Sequence, residues 1–277
     1  MTPLKLFFRE TGTGTPLVIL HGLYGMSDNW LSIAKELAPQ FRVILPDMRN
    51  HGHSPHDQEH SYQAMREDIA RLFEDLKLEN VILMGHSMGG KTAMFFAVRY
   101  PEKLSRLIVV DIAPADLRNT PRGKMHELQH KTIVESLLKL DIEHLQSRQE
   151  ADRALSETIA SLPVRQFLLK NLHRRSDGTF TWLLNLKALS ENLSSVLEGL
   201  NPGTDPEEKY PVEIPALFIR GEHSHYIEPE DEESISNLFP RSVLSVIQGA
   251  GHWVHAEHPE QFLKVVSDFV RNNYILQ

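Results

Sequence analysis

Ten residues constrain this chain more than any others: Val81-Ile82-Leu83-Met84-Gly85-His86-Ser87-Met88-Gly89-Gly90. Four apolar residues in a row, two of them β-branched, have the pattern of a strand buried in a parallel sheet. Gly85, Ser87 and Gly89 follow as Gly-x-Ser-x-Gly, and Lys91 to Val98 then reads as a buried helix. A strand that becomes a helix across one residue puts Ser87 at the apex, in strained backbone. Its hydroxyl stands above the sheet at a helix N-terminus, where developing negative charge is favoured. Side chains beside such a corner would strike the adjoining strand and helix, so Gly85, Gly89 and Gly90 are what the turn needs. The spacing alone occurs often by chance and would suit a tight turn with an incidental serine. Between a buried strand and a buried helix it makes Ser87 a candidate nucleophile.

The rest of the chain repeats the alternation of strand and helix. Leu4–Arg9 reads as a strand, Thr11–Thr15 as its turn, and Pro16–Leu20 as a buried strand ending in His21-Gly22-Leu23. Ser27 or Asp28 is placed to cap a helix through Trp30, Ile33 and Leu37. Arg42–Leu45 is the next strand, and Ser61 caps a helix with an apolar stripe through Met65, Ile69, Leu72 and Leu76. Leu107–Val110 is a further strand, ending at Asp111. From about Asp116 to Glu208 the rhythm stops: helical, charge-rich segments are expected over 125–140, 144–162, 164–173 and 182–200, with a turn at Asp177-Gly178. Strands at Ile214–Ile219 and Val243–Ile247 then alternate with helices at Glu228–Leu238 and Pro259–Asn273. This is an α/β pattern: a mostly parallel central sheet with helices on both faces. Residues 1–115 and 211–277 form its core, and 116–210 are a helical cap, or lid, inserted at the carboxyl edge of the sheet, where open α/β sheets bind ligands.

Length and composition close off several functions. A chain of 277 residues, 41% hydrophobic, can build a large core in one or two domains. A net charge of −8 without a Lys/Arg run gives no surface for nucleic acid. The absence of cysteine excludes disulfides, thiol catalysis and Cys-based metal sites. No signal peptide and no apolar run of membrane-spanning length is read, so the expectation is a soluble, cytoplasmic protein. Oligomeric state is left open.

Ser87 needs a base to take its proton. Of the fifteen histidines, His252 is chosen by position, because Gly249-Ala250-Gly251-His252 directly follows a strand and its glycines let the loop bend over the sheet edge. His51, His53, His56, His60, His223, His225, His255 and His258 read as polar loop or surface residues, and no helical zinc site is read among the histidines. The base needs a carboxylate to hold its tautomer. Asp111, at an apolar strand end where a carboxylate is costly unless used, is the first candidate, and Glu222 in the turn Gly221–His225 is the reserve. The alternative is that Asp111 only caps the loop into the insertion. The backbone N–H groups of Met88 and Leu23 are the candidate oxyanion donors, and the His21 side chain is read as structural.

With His21-Gly22, Gly-x-Ser-x-Gly and Gly-x-Gly-His in order, the chain resembles the α/β-hydrolase fold superfamily over its whole core. Pro46–Ser54 resembles the family's Asp-x-Arg-Gly-x-Gly-x-Ser loop but carries Asn50-His51 in place of Gly-x. Most relatives place the acid in a Gly-x-x-Asp turn, where this chain has Ser224. Both departures resemble the YbfF-like serine esterases, whose acid lies in an Asp-Ile-x-Pro segment after strand 6. That likeness implies Asp111 as the acid, in Asp111-Ile112-Ala113-Pro114, and a lid that follows the same strand. It further implies a serine carboxylesterase for small to medium acyl esters or thioesters, working through an acyl-enzyme with no cofactor and no metal, and a small-molecule ester as its only implied partner. A lactone or carbon–carbon bond hydrolase with the same triad, or a slow-turnover ligand-binding member of the fold, are the competing readings. Phe167, Leu168, Phe180, Trp182 and Leu186 are candidates for the acyl pocket, with core packing the alternative for each.

Overall fold

The structure is a computed structural model describing residues 2–271. Among these, nine strands are present: β1 (Phe8–Thr11), β2 (Thr15–Leu20), β3 (Phe41–Pro46), β4 (Val81–His86), β5 (Leu104–Val110), β6 (Leu172–Arg174), β7 (Phe180–Trp182), β8 (Ala216–Gly221) and β9 (Ser242–Ile247). Seven form one sheet in the order β1-β3-β2-β4-β5-β8-β9. Only β1 is antiparallel to its neighbour. Side chains alternate along each strand. Leu17, Ile19, Ile82 and Met84 pack with Ile33, Phe262 and Val266 from helices Leu31–Leu37 and Pro259–Arg271. Val18, Leu20 and Leu83 pack with Met65, Ile69 and Phe96 from helices Tyr62–Asp75 and Met88–Arg99. The uninterrupted apolar runs of β2 and β4 follow from this double covering.

Local chemistry shifts several expected boundaries. The first strand begins at Phe8 rather than Leu4, because the N–H groups of Leu4 and Phe7 donate to Asp68 Oδ1 (2.6 Å) and Ser54 Oγ (2.9 Å) instead of a ladder. Neither Ser27 nor Asp28 caps the first helix. Both lie inside a 3₁₀ turn, Ser27–Trp30, whose Asn29 side chain accepts from the Met26 N–H. Ser61 does cap the helix Tyr62–Asp75, accepting from Ala64 N–H. The last helix runs over Pro259–Arg271, and the two further residues expected in it lie outside the described residues.

The segment between β5 and β8 follows the fifth strand of this chain, whereas the family resemblance counts that strand as the sixth. It holds helices Pro121–Lys139, Arg148–Leu155, Leu162–Leu169, Leu186–Glu191 and Leu193–Val196. Asp177-Gly178 does not join two helices: it closes an antiparallel hairpin of β6 and β7, with Leu172 opposite Trp182. Asp-Gly between short alternating runs is a hairpin signal, and the helical assignments over 164–173 and 182–200 overran it.

Candidate active site

The chain passes from β2 to β3 on one side and then crosses to β4 on the other, so the loops after β2 and β4 part above the sheet. Such a switch point opens a crevice at the carboxyl edge. Ser87 stands there between β4 and the helix Met88–Arg99, with φ +54° and ψ −118°. A Cβ on Gly85 would fall on the Gly89 backbone, and one on Gly89 would fall on Leu20 O, so the corner admits neither. The strain at Ser87, of order 1–3 kcal/mol, is held by its N–H donating to Val110 O at 2.9 Å. The Met88 N–H is the first of its helix and has no intrahelical acceptor. Leu23, in the loop after β2, lines the same cavity as Ser87.

Asp111 directly follows β5, fully buried, also with φ +54°. Its Oδ2 accepts from His252 Nδ1–H at 2.7 Å and from the Ser224 hydroxyl, and its Oδ1 accepts from Gly221 N–H at 3.0 Å. The burial cost of that carboxylate is met by these donors. His252 and Ser87 line one cavity of about 200 Å³. Glu222 makes no bond to His252; its Oε2 accepts from Gly249 N–H at 2.8 Å, while Glu257 accepts from the N–H groups of Gly251 (2.6 Å) and Trp253 (3.1 Å). Two carboxylates thus pin the His252 loop from below.

Three histidines that read as polar loop or surface residues are buried: His51, His60 and His255. His51 accepts from Tyr24 N–H (3.2 Å) and donates to Arg49 O (2.8 Å). His21 does the parallel job, accepting from Met48 N–H at 2.9 Å and donating to Gly22 O at 2.9 Å. Burial lowers both rings' pKa and keeps them neutral, as an acceptor nitrogen requires. Together they hold the loop that carries Leu23. His255 lies flat on Trp30, with ring centroids 3.9 Å apart. His53, His56, His223 and His225 are exposed, and His258 is half-buried.

The Asn50-His51 departure now has a physical reason. Asn50 has φ +67°, which asparagine tolerates better than most residues. Its Oδ1 accepts from Asp57 N–H and from Asn185 Nδ2 of the inserted segment. Arg49, beside it, makes a buried two-bond pair with Asp68, at 2.6 and 2.9 Å.

Two residues here escaped the sequence reading. Tyr226, two positions after Ser224, stacks on the His252 ring at 3.9 Å and 20°. His86, the residue before Ser87, donates from Nε2 to His252 O at 2.9 Å. Neither is marked by residue type within a motif; both meet His252 because the loops after β8 and β9 fold back over the carboxyl edge of the sheet towards the end of β4. Of the proposed pocket residues, Phe167 and Leu168 line the cavity, whereas Phe180 and Leu186 are core and Trp182 packs against it.

Comparison with known proteins agrees with this geometry. The profile described as the alpha/beta hydrolase fold matches residues 15–259. A protein of Xenopus tropicalis, "sn-1-specific diacylglycerol lipase ABHD11", is 40% identical over 262 residues, covering 94% of this chain and 79% of that one. "Esterase YbfF" of Escherichia coli K12 is 32% identical over 259 residues, covering 93% and 94%. A solved structure described as "Marine microorganism esterase" superposes with a TM-score of 0.90 at 43% identity, covering 96% of this chain and 99% of that one.

Proposed function

The chain belongs to the α/β-hydrolase fold family, and we propose that it is a serine carboxylesterase working through Ser87, His252 and Asp111. The observation that carries the reading is the 2.7 Å bond from His252 Nδ1 to a buried Asp111, in a ring whose other nitrogen is left for the strained serine of the same cavity. Ser87 Oγ attacks the ester carbonyl while His252 Nε2 takes its proton. The Met88 and Leu23 N–H groups receive the oxyanion. His252 then protonates the departing alcohol, and water, activated by the same imidazole, releases the acid from the acyl-enzyme. Relatives named as esterases and lipases support acyl esters as the substrate class. Residues 116–210 act as a cap over residues 1–115 and 211–277, since Ile133, Val164, Phe167 and Leu168 of that segment wall the cavity. Among the described residues no helix is long and apolar enough to cross a membrane.

Hydrolysis of p-nitrophenyl esters from acetate to long acyl chains, by wild type and Ser87→Ala, tests the reading. Multiple turnover lost in the variant supports it, and the preferred chain length sizes the cavity. Equal turnover by both proteins sinks it.

A further inference from the structure

The roof of the site carries polar atoms that nothing in the protein satisfies. His126 and His130 lie one turn apart on the helix Pro121–Lys139, so their rings share a face. His126 is only 4% exposed, yet neither Nδ1 nor Nε2 has a hydrogen-bond partner, and His130 Nδ1 is buried and unpartnered too. His21, His51 and His86, by contrast, spend ring nitrogens on backbone groups. His255 Nδ1 and His60 Nε2 are also unpaired, but His255 is stacked flat on Trp30 and His60 lies away from the cavity residues. Buried polar groups in native proteins nearly always have partners, so a pair left open beside a nucleophile points to a partner that arrives with the ligand.

Placement narrows the ligand. Both rings line a small cavity of about 20 Å³ together with Ser87, Leu23 and Met88, and His130 lines the larger cavity as well. The helix is fixed in register: Arg122 pairs with Asp231 at 2.7 and 2.8 Å, and Tyr24 Oη donates to His130 O at 3.3 Å. The His126 ring packs on Tyr226 at 4.5 Å, and Tyr226 in turn stacks on His252. Burial lowers the pKa of both rings, that of His130 to about 4, so each offers one N–H donor and one acceptor at neutral pH. The Arg122 cation is committed to Asp231. A hydroxyl, itself donor and acceptor, fits such a pair; a carboxylate does not.

We propose that His126 and His130 form a polar subsite that selects esters bearing an uncharged hydroxyl close to the scissile bond. The proposal rests on the esterase reading and deepens it. The test uses two isosteric pairs in which a hydroxyl replaces a methyl group: 2-hydroxyethyl butanoate against propyl butanoate, and ethyl 3-hydroxybutanoate against ethyl 3-methylbutanoate. Hydrolysis is followed by pH-stat in wild type, His126→Phe, His126→Asn and His130→Phe. Phenylalanine keeps a ring against Tyr226, and asparagine returns a donor and an acceptor. The expected result is a wild-type preference in kcat/KM of at least about tenfold for the hydroxyl member of one pair. In both phenylalanine variants the hydroxyl member falls further than the methyl member, so the preference is lost, and asparagine regains part of it. No wild-type preference in either pair, or equal loss for both members, overturns the subsite. If wild type hydrolyses none of the four, the p-nitrophenyl ester series decides the esterase reading. Calorimetric binding of the same pairs to Ser87→Ala then decides the subsite by itself, and equal affinities within both pairs overturn it.

Discussion

The Ser224 hydroxyl donates to Asp111 Oδ2, the same oxygen that accepts from His252 Nδ1. Ser224 occupies the turn after β8 where most of the family carry the acid itself, so the turn keeps its place beside the imidazole while the charge comes from β5. Asp111→Asn should therefore lower kcat/KM on a p-nitrophenyl ester by on the order of 10³–10⁴. Adding Ser224→Asp should restore part of it, because a carboxylate in that turn sits within reach of the same imidazole. Glu222→Gln should stay within about tenfold of wild type, since Glu222 anchors Gly249 rather than His252. Full activity in Asp111→Asn would remove it from the mechanism.

The Arg49–Asp68 pair is fully buried, with side chains 1% and 0% exposed. Arg49→Met leaves the Asp68 carboxylate without its guanidinium, keeping only the Leu4 N–H. Stranding one member of a buried pair costs roughly 3–5 kcal/mol. Urea unfolding should show a loss of that size, and a loss below about 1 kcal/mol would mean the pair is solvated in a way the fold does not show.

Acid should unfold this protein early. Burial holds His60 and His255 at about 3 and His130 at about 4, and depresses His51 and His86 as well. In the unfolded chain these rings bind protons near pH ~6.5. Below that value the unfolded state holds more protons than the folded one, so stability falls as pH falls, by up to about 1.4 kcal/mol per unit for each ring, until the folded values are reached. The urea midpoint should drop steeply between pH 6.5 and 4.5; a flat midpoint across that range would contradict the burial argument.

How much of this was legible beforehand depended on whether a residue's role is local. Ser87 and its glycines were readable because strand, corner and helix are contiguous. Asp111 was a candidate because it directly follows an apolar strand, with the family resemblance favouring it over Glu222, and His252 because it closes the glycine loop after Ser242–Ile247. Tyr226, His86 and His126 were not, since their partners come from other strands or from the insertion. His51, His60 and His255 read as polar loop or surface residues because composition cannot tell a solvated imidazole from one that replaces a backbone partner. The hairpin β6–β7 was hidden in a stretch whose charge density resembles exposed helix, although Asp177-Gly178 marked its turn.

Lys91 gives the last prediction. It lies inside the helix that follows Ser87, 1% exposed, and its Nζ donates to Ala115 O at 2.6 Å and Glu198 O at 2.5 Å. Ala115 directly precedes the inserted segment and Glu198 lies within it, so one side chain ties both to the helix Met88–Arg99. Two acceptors match the two N–H bonds of a neutral amine, whereas an ammonium would bury a third donor unpaired. In agreement, burial lowers the Lys91 pKa to about 7, with nearby carboxylates opposing the shift. The unfolded value is near ~10.4, so between the two the unfolded chain holds the extra proton and stability rises with pH. Wild type should gain stability from pH 7 to 9 relative to Lys91→Met, whose difference in unfolding free energy should widen at about 1 kcal/mol per unit. Below pH 7 the difference should level off. A difference that stays constant from pH 6 to 9 would show that Lys91 remains charged in the folded protein.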